Sequence, residues 1–179
     1  MMHLSREQLL GLLGEARKRS ERDWLMFLVC YLHGLRISEA LELTPRNVRD
    51  GFLTVQRLKG SLRTTQPLVA HENELLNEKL SLMNLCSMRR PDEPLFRFSC
   101  TGTSRRVQAW RLMRRYGVLA GIPQHLLHPH SLKHSTGIAI ISRGIEYTRC
   151  YLGHKSIAST GAYLRVSDQE TAEKVQGLL

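Results

Sequence analysis

His130–Leu164 reads HSLKHSTGIAIISRGIEYTRCYLGHKSIASTGAYL and sets histidines, a lysine and a late tyrosine among short apolar segments. The apolar spacing predicts a helix over about 131–143, a second over about 146–152, a loop bearing His154 and a third short helix over about 159–164. The polar members fall at helix starts and in loops, where side chains converge on a ligand without spoiling a buried face. Taken alone, the stretch is a candidate site for a metal, for a phosphate or for neither.

Outward from it, DQETAEKVQGLL reads as part of a terminal helix over 167–179 with one apolar face, suited to docking on a neighbouring subunit or back on its own core. Upstream, SRRVQAWRLMRRYGVLAGI starts a strongly basic helix at Ser104 that ends near Gly117 or Gly121. Its cationic face could follow a phosphate backbone or simply be solvated. Residues 71–83 show helical spacing through Leu75, Leu76, Leu80 and Leu82, RRPDEP is a surface loop, and LFRF after it reads as extended.

Val48–Ala70 has a different character. FLTVQRL and RTTQPLVA, separated by the Lys59-Gly60-Ser61 turn, predict a small antiparallel sheet with Lys59 at its tip. Near the N-terminus, Ser5 and Gln8 form a capping-box pattern that opens a helix ending at Arg17, Lys18 and Arg19. DWLMFLVCYLHG is long enough for a buried helix, and Gly34 suits its stop. In GLRISEALEL, Ser38 is the expected cap of a short helix closed by Pro45, with Arg36 between the two helices.

Composition bounds the answer. A chain of 179 residues with 42% hydrophobic content fits one domain over 1–179, α+β and mainly α-helical with a small antiparallel sheet. The 26 Lys and Arg against 16 Asp and Glu bias the surface toward polyanions such as DNA, RNA or an anionic membrane. No apolar run approaches the roughly 20 residues needed to cross a bilayer, and MMHLSREQLL has no signal core. The expectation is a cytoplasmic protein. Cys30, Cys86, Cys100 and Cys150 form no C-x-x-C pair, so reduced thiols are expected.

Among metal readings, His125, His128, His130 and His134 are close in sequence, and His130 with His134 has the i, i+4 spacing of a helical metal pair. Ser131 stands where the glutamate of H-E-x-x-H belongs, and Lys133 would place a positive charge beside the ion, so no metal is expected. No nucleotide-binding glycine loop is present, and no cofactor is expected. The chain offers instead Arg36, Lys59, His130 with Lys133, His154 and Tyr163. Each has an ordinary structural explanation by itself: an ion pair, a solvated tip, helix packing.

Together, GLRISEAL, the Lys59-Gly60 turn, HSLKH and LGHKSIASTGAYL resemble the tyrosine recombinases of the phage-integrase family, from about residue 5 to 175. The resemblance matches Arg36 to the arginine of the family's G-x-R-x-x-E segment, Lys59 to its hairpin lysine, and His130 with Lys133 to its H-x-x-R segment. His154 matches the LGH histidine and Tyr163 the nucleophile. It implies the catalytic-domain fold of that family, a duplex DNA substrate, and cleavage and rejoining through a 3′-phosphotyrosyl intermediate.

Those residue types suit that chemistry. Fixed cations stabilise charge spread over the non-bridging oxygens of a transferring phosphoryl group, and the Arg36 fork can bind two of them at once. Tyr163, with an ordinary pKa near ~10, needs a base, for which His130 is the natural acceptor. Lys59 would protonate the departing 5′ oxygen, His154 would donate to the phosphate, and Glu39 would hold the cations in place. The resemblance further implies a homotetramer on two duplexes, with DNA-bending accessory proteins and no membrane partner.

Two departures stand out. Lys133 replaces the family's second arginine with a point charge that cannot form a bidentate fork. The sequence also starts almost directly in the catalytic region, so the expectation is either a short family member or a catalytic domain excised from a protein with the N-terminal domain of about a hundred residues common in the family. Two other readings follow: a catalytically weakened DNA-binding or accessory protein of the same fold, and a type IB topoisomerase-like enzyme.

Overall fold

The computed structural model describes residues 2–58, 61–99, 103–128 and 130–164. Lys59, Cys100 and the expected helix over 167–179 lie outside the described residues. At the centre is α2 (Glu21–Leu32), whose residues Asp23 to Cys30 are all buried, as an apolar run without a polar face requires. Ser20 caps it by accepting the Asp23 N–H.

α1 (Arg6–Arg17) lays Leu9, Leu12, Leu13 and Ala16 inward. Its capping box forms as the sequence predicts, Ser5 Oγ accepting from Gln8 N at 3.1 Å and Gln8 Oε1 from Ser5 N at 2.9 Å. Such a cap contributes about 1 kcal/mol. α1 packs against α2 and against the basic helix α5 (Thr103–Leu119). α5 buries Ala109, Met113 and Tyr116, and the Tyr116 hydroxyl donates to the buried Asp23 carboxylate at 2.7 Å. The helix runs through Gly117, where a Cβ would fall 2.2 Å from Leu127, and the chain turns at Gly121, whose φ of +72° favours glycine.

α3 (Ile37–Leu41) starts earlier than expected. Ser38 lies inside the helix, and Arg36 is its extended first cap, because the Glu39 carboxylate reaches back to accept the Arg36 N–H at 2.8 Å. Pro45 then opens a 3-10 turn over Pro45–Asn47.

The sheet is antiparallel, in the order β1 (Val48–Arg49), β2 (Phe52–Val55), β3 (Thr64–Pro67), with Leu53 opposite Gln66 and Thr54 opposite Thr65. Asp50 and Gly51 join β1 to β2 with φ of +52° and +78°, the positive values that a two-residue hairpin turn demands. Leu53 and Val55 point inward, and the same alternation carries Arg57 inside.

The expected helix over 71–83 is instead a 3-10 turn at Glu74–Leu76 and, after it, α4 (Lys79–Ser87). The break occurs where Glu78 turns inward, accepting from Val69 N at 3.0 Å and meeting His33 Nε2 at 2.7 Å. Leu95–Phe98 is not a strand. Leu95 and Phe96 are buried, but the main-chain bond from Leu95 N to Leu43 O is not continued into a ladder.

The C-terminal half follows the expected order: α6 (Ser131–Ile140) with a 3-10 turn to Arg143, α7 (Ile145–Leu152), and α8 (Ala158–Gly161), with Tyr163 just past it. α6 packs on α2. Among the described residues no helix is long and apolar enough to cross a membrane, and Cys30, Cys86 and Cys150 are free thiols.

Candidate active site

The site's first wall comes from the end of α2, α3 and the chain leaving β2. Glu39 is buried, and both its oxygens are occupied. Oε1 accepts from Arg36 Nη1 at 2.8 Å and Leu58 N at 3.0 Å; Oε2 accepts from Arg36 N at 2.8 Å and, more loosely, from Arg57 Nη1 at 3.5 Å. Burial alone pushes this carboxyl up, but the backbone N–H groups of Arg36 and Leu58 and the charges of Lys133 and Arg57 outweigh it and hold the group below the usual carboxylate range. Arg36 therefore presents a guanidinium braced by a permanent anion. Its side chain keeps 21% exposure, enough to meet a ligand.

Behind it lies Arg57, whose side chain is fully buried. Its Nε donates to Thr64 Oγ1 at 2.9 Å, Nη1 to Gly34 O at 2.9 Å, and Nη2 to His33 O at 2.8 Å and Tyr151 O at 3.3 Å. This arginine ties α2, β3 and α7 together. Burial pulls its pKa down, partly offset by Glu39.

The second wall comes from α6, α7 and α8. Lys133 sits in the first turn of α6, 4% exposed, with Nζ 3.3 Å from Leu152 O. Burial, then the neighbouring charges of Arg57 and Arg36, bring its pKa down to about 7 despite the opposing pull of Glu39. α7 ends at Gly153, left-handed at φ +68°, which turns the chain so that His154 points back into the site. His154 Nδ1 lies 3.0 Å from Thr160 Oγ1, and burial together with the cations Lys133, Arg36 and Arg57 lowers its pKa to about 4. It is neutral at physiological pH.

Tyr163 closes the arrangement. Its ring lies parallel to His154, centroids 6.4 Å apart, and its hydroxyl is 3.1 Å from His134 Nδ1. The ring fills the space over Gly137, where a Cβ would sit 2.5 Å from it. Burial pushes the phenol up to about 12, and Arg36 acts in the opposite sense. Burial, then neighbouring charges led by His130 and Lys133, brings His134 down to about 4, so it too is neutral.

The structure thus brings Arg36, Glu39, Lys133, His154 and Tyr163 together. His130 is the N-cap residue of the helix that carries Lys133. It stands exposed at the start of α6, stacked on His128 at 5.5 Å and 6.1 Å from the His134 ring, while His134, one turn further on, meets the tyrosine hydroxyl. Among the described residues no cluster of three or more metal-ligating side chains occurs. Arg57, His134, Thr160 and Gly137 are the residues that sequence reasoning missed. Arg57 was visible as the third inward position of Leu53, Val55, Arg57, and His134 as the i+4 neighbour of His130.

The sequence matches the model of the phage integrase family over residues 3–170. The tyrosine recombinase XerA of Pyrococcus furiosus is 33% identical over 181 aligned residues, covering 97% of this chain and 60% of that protein. The type 1 fimbriae regulatory protein FimE of Escherichia coli K12 is 34% identical over 148 residues, covering 79% of this chain and 73% of that protein. This chain therefore spans about three-fifths of the length of XerA. In structure, the XerH site-specific recombinase bound to difH substrate in a pre-cleavage complex superposes with a TM-score of 0.74 at 18% identity, over 98% of this chain and 54% of that one. With the family match spanning nearly all of its length, this chain belongs to the phage integrase family of tyrosine recombinases.

Proposed function

We propose that the protein is a site-specific DNA recombinase that breaks and rejoins duplex DNA through a covalent link between Tyr163 and a 3′ phosphate. One observation carries this reading: the Tyr163 hydroxyl is held by a neutral histidine within the electrostatic reach of Arg36, which is itself braced by Glu39. The XerH relative, bound to difH before cleavage, supports DNA as the substrate class.

In this reading the Arg36 fork and Lys133 bind the non-bridging oxygens of the scissile phosphate and stabilise the charge that builds there. Thr160 fixes the His154 ring by its Nδ1 side, and Nε2 donates to the phosphate. His134 takes the phenol proton as Tyr163 Oη attacks phosphorus, a transfer for which a depressed imidazole pKa and a raised phenol pKa both demand help from the cations. The bond to the 5′ oxygen breaks, and that oxygen needs a proton, for which Lys59 is the expected donor. The phosphotyrosyl bond conserves the energy for religation, so no nucleotide triphosphate is consumed. Assembly as a tetramer on two duplexes, with accessory proteins that bend the DNA, belongs to the same proposal.

Lys133 gives substance to a second reading, a DNA-binding protein of the same fold with weakened catalysis, because a buried point charge with a lowered pKa replaces a bidentate fork. Selection of detergent-resistant protein–DNA adducts from a randomised duplex library separates the two. Enriched adducts with the native protein and none with Tyr163→Phe are expected. DNA binding without adducts at any round sinks the recombinase reading, and adducts recovered only with Lys133→Arg establish the weakened protein.

A further inference from the structure

Hydrogen-bond bookkeeping around Lys133 does not close for a charged side chain. An ammonium carries three donors, and among the described residues the acceptor that meets Nζ is Leu152 O, at 3.3 Å. The nearby carboxylate, Glu39, is already taken on both oxygens by Arg36, Leu58 and Arg57. The remaining titratable and charged groups around Lys133 are cations or neutral rings: Arg36 from α3, Arg57 from the chain after β2, His134 on its own helix, and His154 after α7. Tyr163 adds a protonated phenol on the far side of the two histidines. A charged Lys133 would leave donors buried and unpaired beside a guanidinium, which costs free energy. An uncharged amine, with two donors in place of three and no charge to desolvate, loses less there.

We infer that Lys133 rests as an uncharged amine on the Leu152 carbonyl and takes up a proton when an oxyanion enters the site, so that phosphate capture is coupled to proton uptake. A tetrahedral oxyanion supplies what the resting site lacks: acceptors for the spare donors, and negative charge to offset Arg36 and Arg57. The lowered pKa of the resting group agrees with this picture. An arginine at this position could not act so, because guanidinium keeps its charge throughout the working range. The inference rests on the reading of this pocket as a phosphodiester site, and it makes the Lys133 substitution a distinct device: a cation that is assembled by its substrate.

The test is a titration of the lysine side chains of the full chain by NMR with isotope-labelled lysine, without and with saturating sulfate, an oxyanion of constant charge across neutral pH. The Lys133 signal is identified by its loss in Lys133→Arg, or in Lys133→Gln should the longer side chain overpack. We expect a midpoint near 7 in the free protein and a rise of about one pH unit or more with sulfate. A free-protein midpoint in the ordinary lysine range overturns the inference, and so does sulfate that leaves the midpoint where it was. Cleavage is not read by this experiment. A titration as expected, with no covalent adduct in the trapping assay, would therefore remove the recombinase reading and keep the proton coupling.

Discussion

Arg57 and Lys133 are both basic, both buried and both part of one site, yet their surroundings are opposite. Arg57 donates to Thr64, Gly34, His33, Tyr151 and Glu39, whereas Lys133 meets Leu152 O. The wall around Arg57 and Glu39 is completed by the fold itself. The wall around Lys133, His154 and Tyr163 has its pKa values displaced by burial, and in the proposed function this is the wall that receives the phosphate. The difference teaches that a buried basic group keeps its charge and serves as scaffold where its donors are met inside the protein, and loses proton affinity where they are not.

Substitution at the two basic residues tests that contrast. Arg57→Leu takes a buried donor away from the Gly34, His33 and Tyr151 carbonyls and removes a charge beside Glu39, which keeps its bonds from Arg36 and Leu58. We expect a loss of about 3–5 kcal/mol in urea unfolding, the largest effect at the site; a loss under about 1 kcal/mol would mean the scaffold is dispensable. Next in size, Gly137→Ala drives a Cβ to 2.5 Å from the Tyr163 ring. It should cost about 2 kcal/mol and slow adduct formation with whichever DNA the library selects, while near-normal adduct rates would show that the ring position is not critical.

Lys133→Met should have the smallest effect and the opposite sign. The folded pKa of Lys133, about 7, lies below the 10.5 of a free lysine side chain, so folding excludes a proton. Lys133 therefore opposes folding fully below about 7, and its penalty fades as pH rises toward 10.5. Lys133→Met should then gain about 1–2 kcal/mol at neutral pH, a gain that shrinks in alkaline buffer. A stability loss at neutral pH would place Lys133 in the scaffold with Arg57.

Much of this organisation was legible in the chain itself, for identifiable reasons. The order of Arg36, Lys133, His154 and Tyr163 in their local contexts located the site, and the capping box, the buried apolar helix and the strand alternation located the frame. What the sequence concealed were contacts between distant segments. The reach of Glu39 back to the Arg36 N–H moved a helix start away from Ser38. The pairing of Glu78 with His33 broke an otherwise continuous helical pattern over 71–83. His134 meets the Tyr163 hydroxyl because the chain around α8 delivers the tyrosine over Gly137, well inside α6, a placement that local spacing does not encode.

Gly153 joins the two walls. Its carbonyl accepts the Leu62 N–H at 2.8 Å, and a Cβ there would lie 2.6 Å from Leu62 O and 3.1 Å from the Arg57 side chain. The loop that enters β3 is therefore seated directly on the residue before His154, across a long sequence separation. The exchange rate of the single Leu62 amide hydrogen therefore reports how often this junction opens.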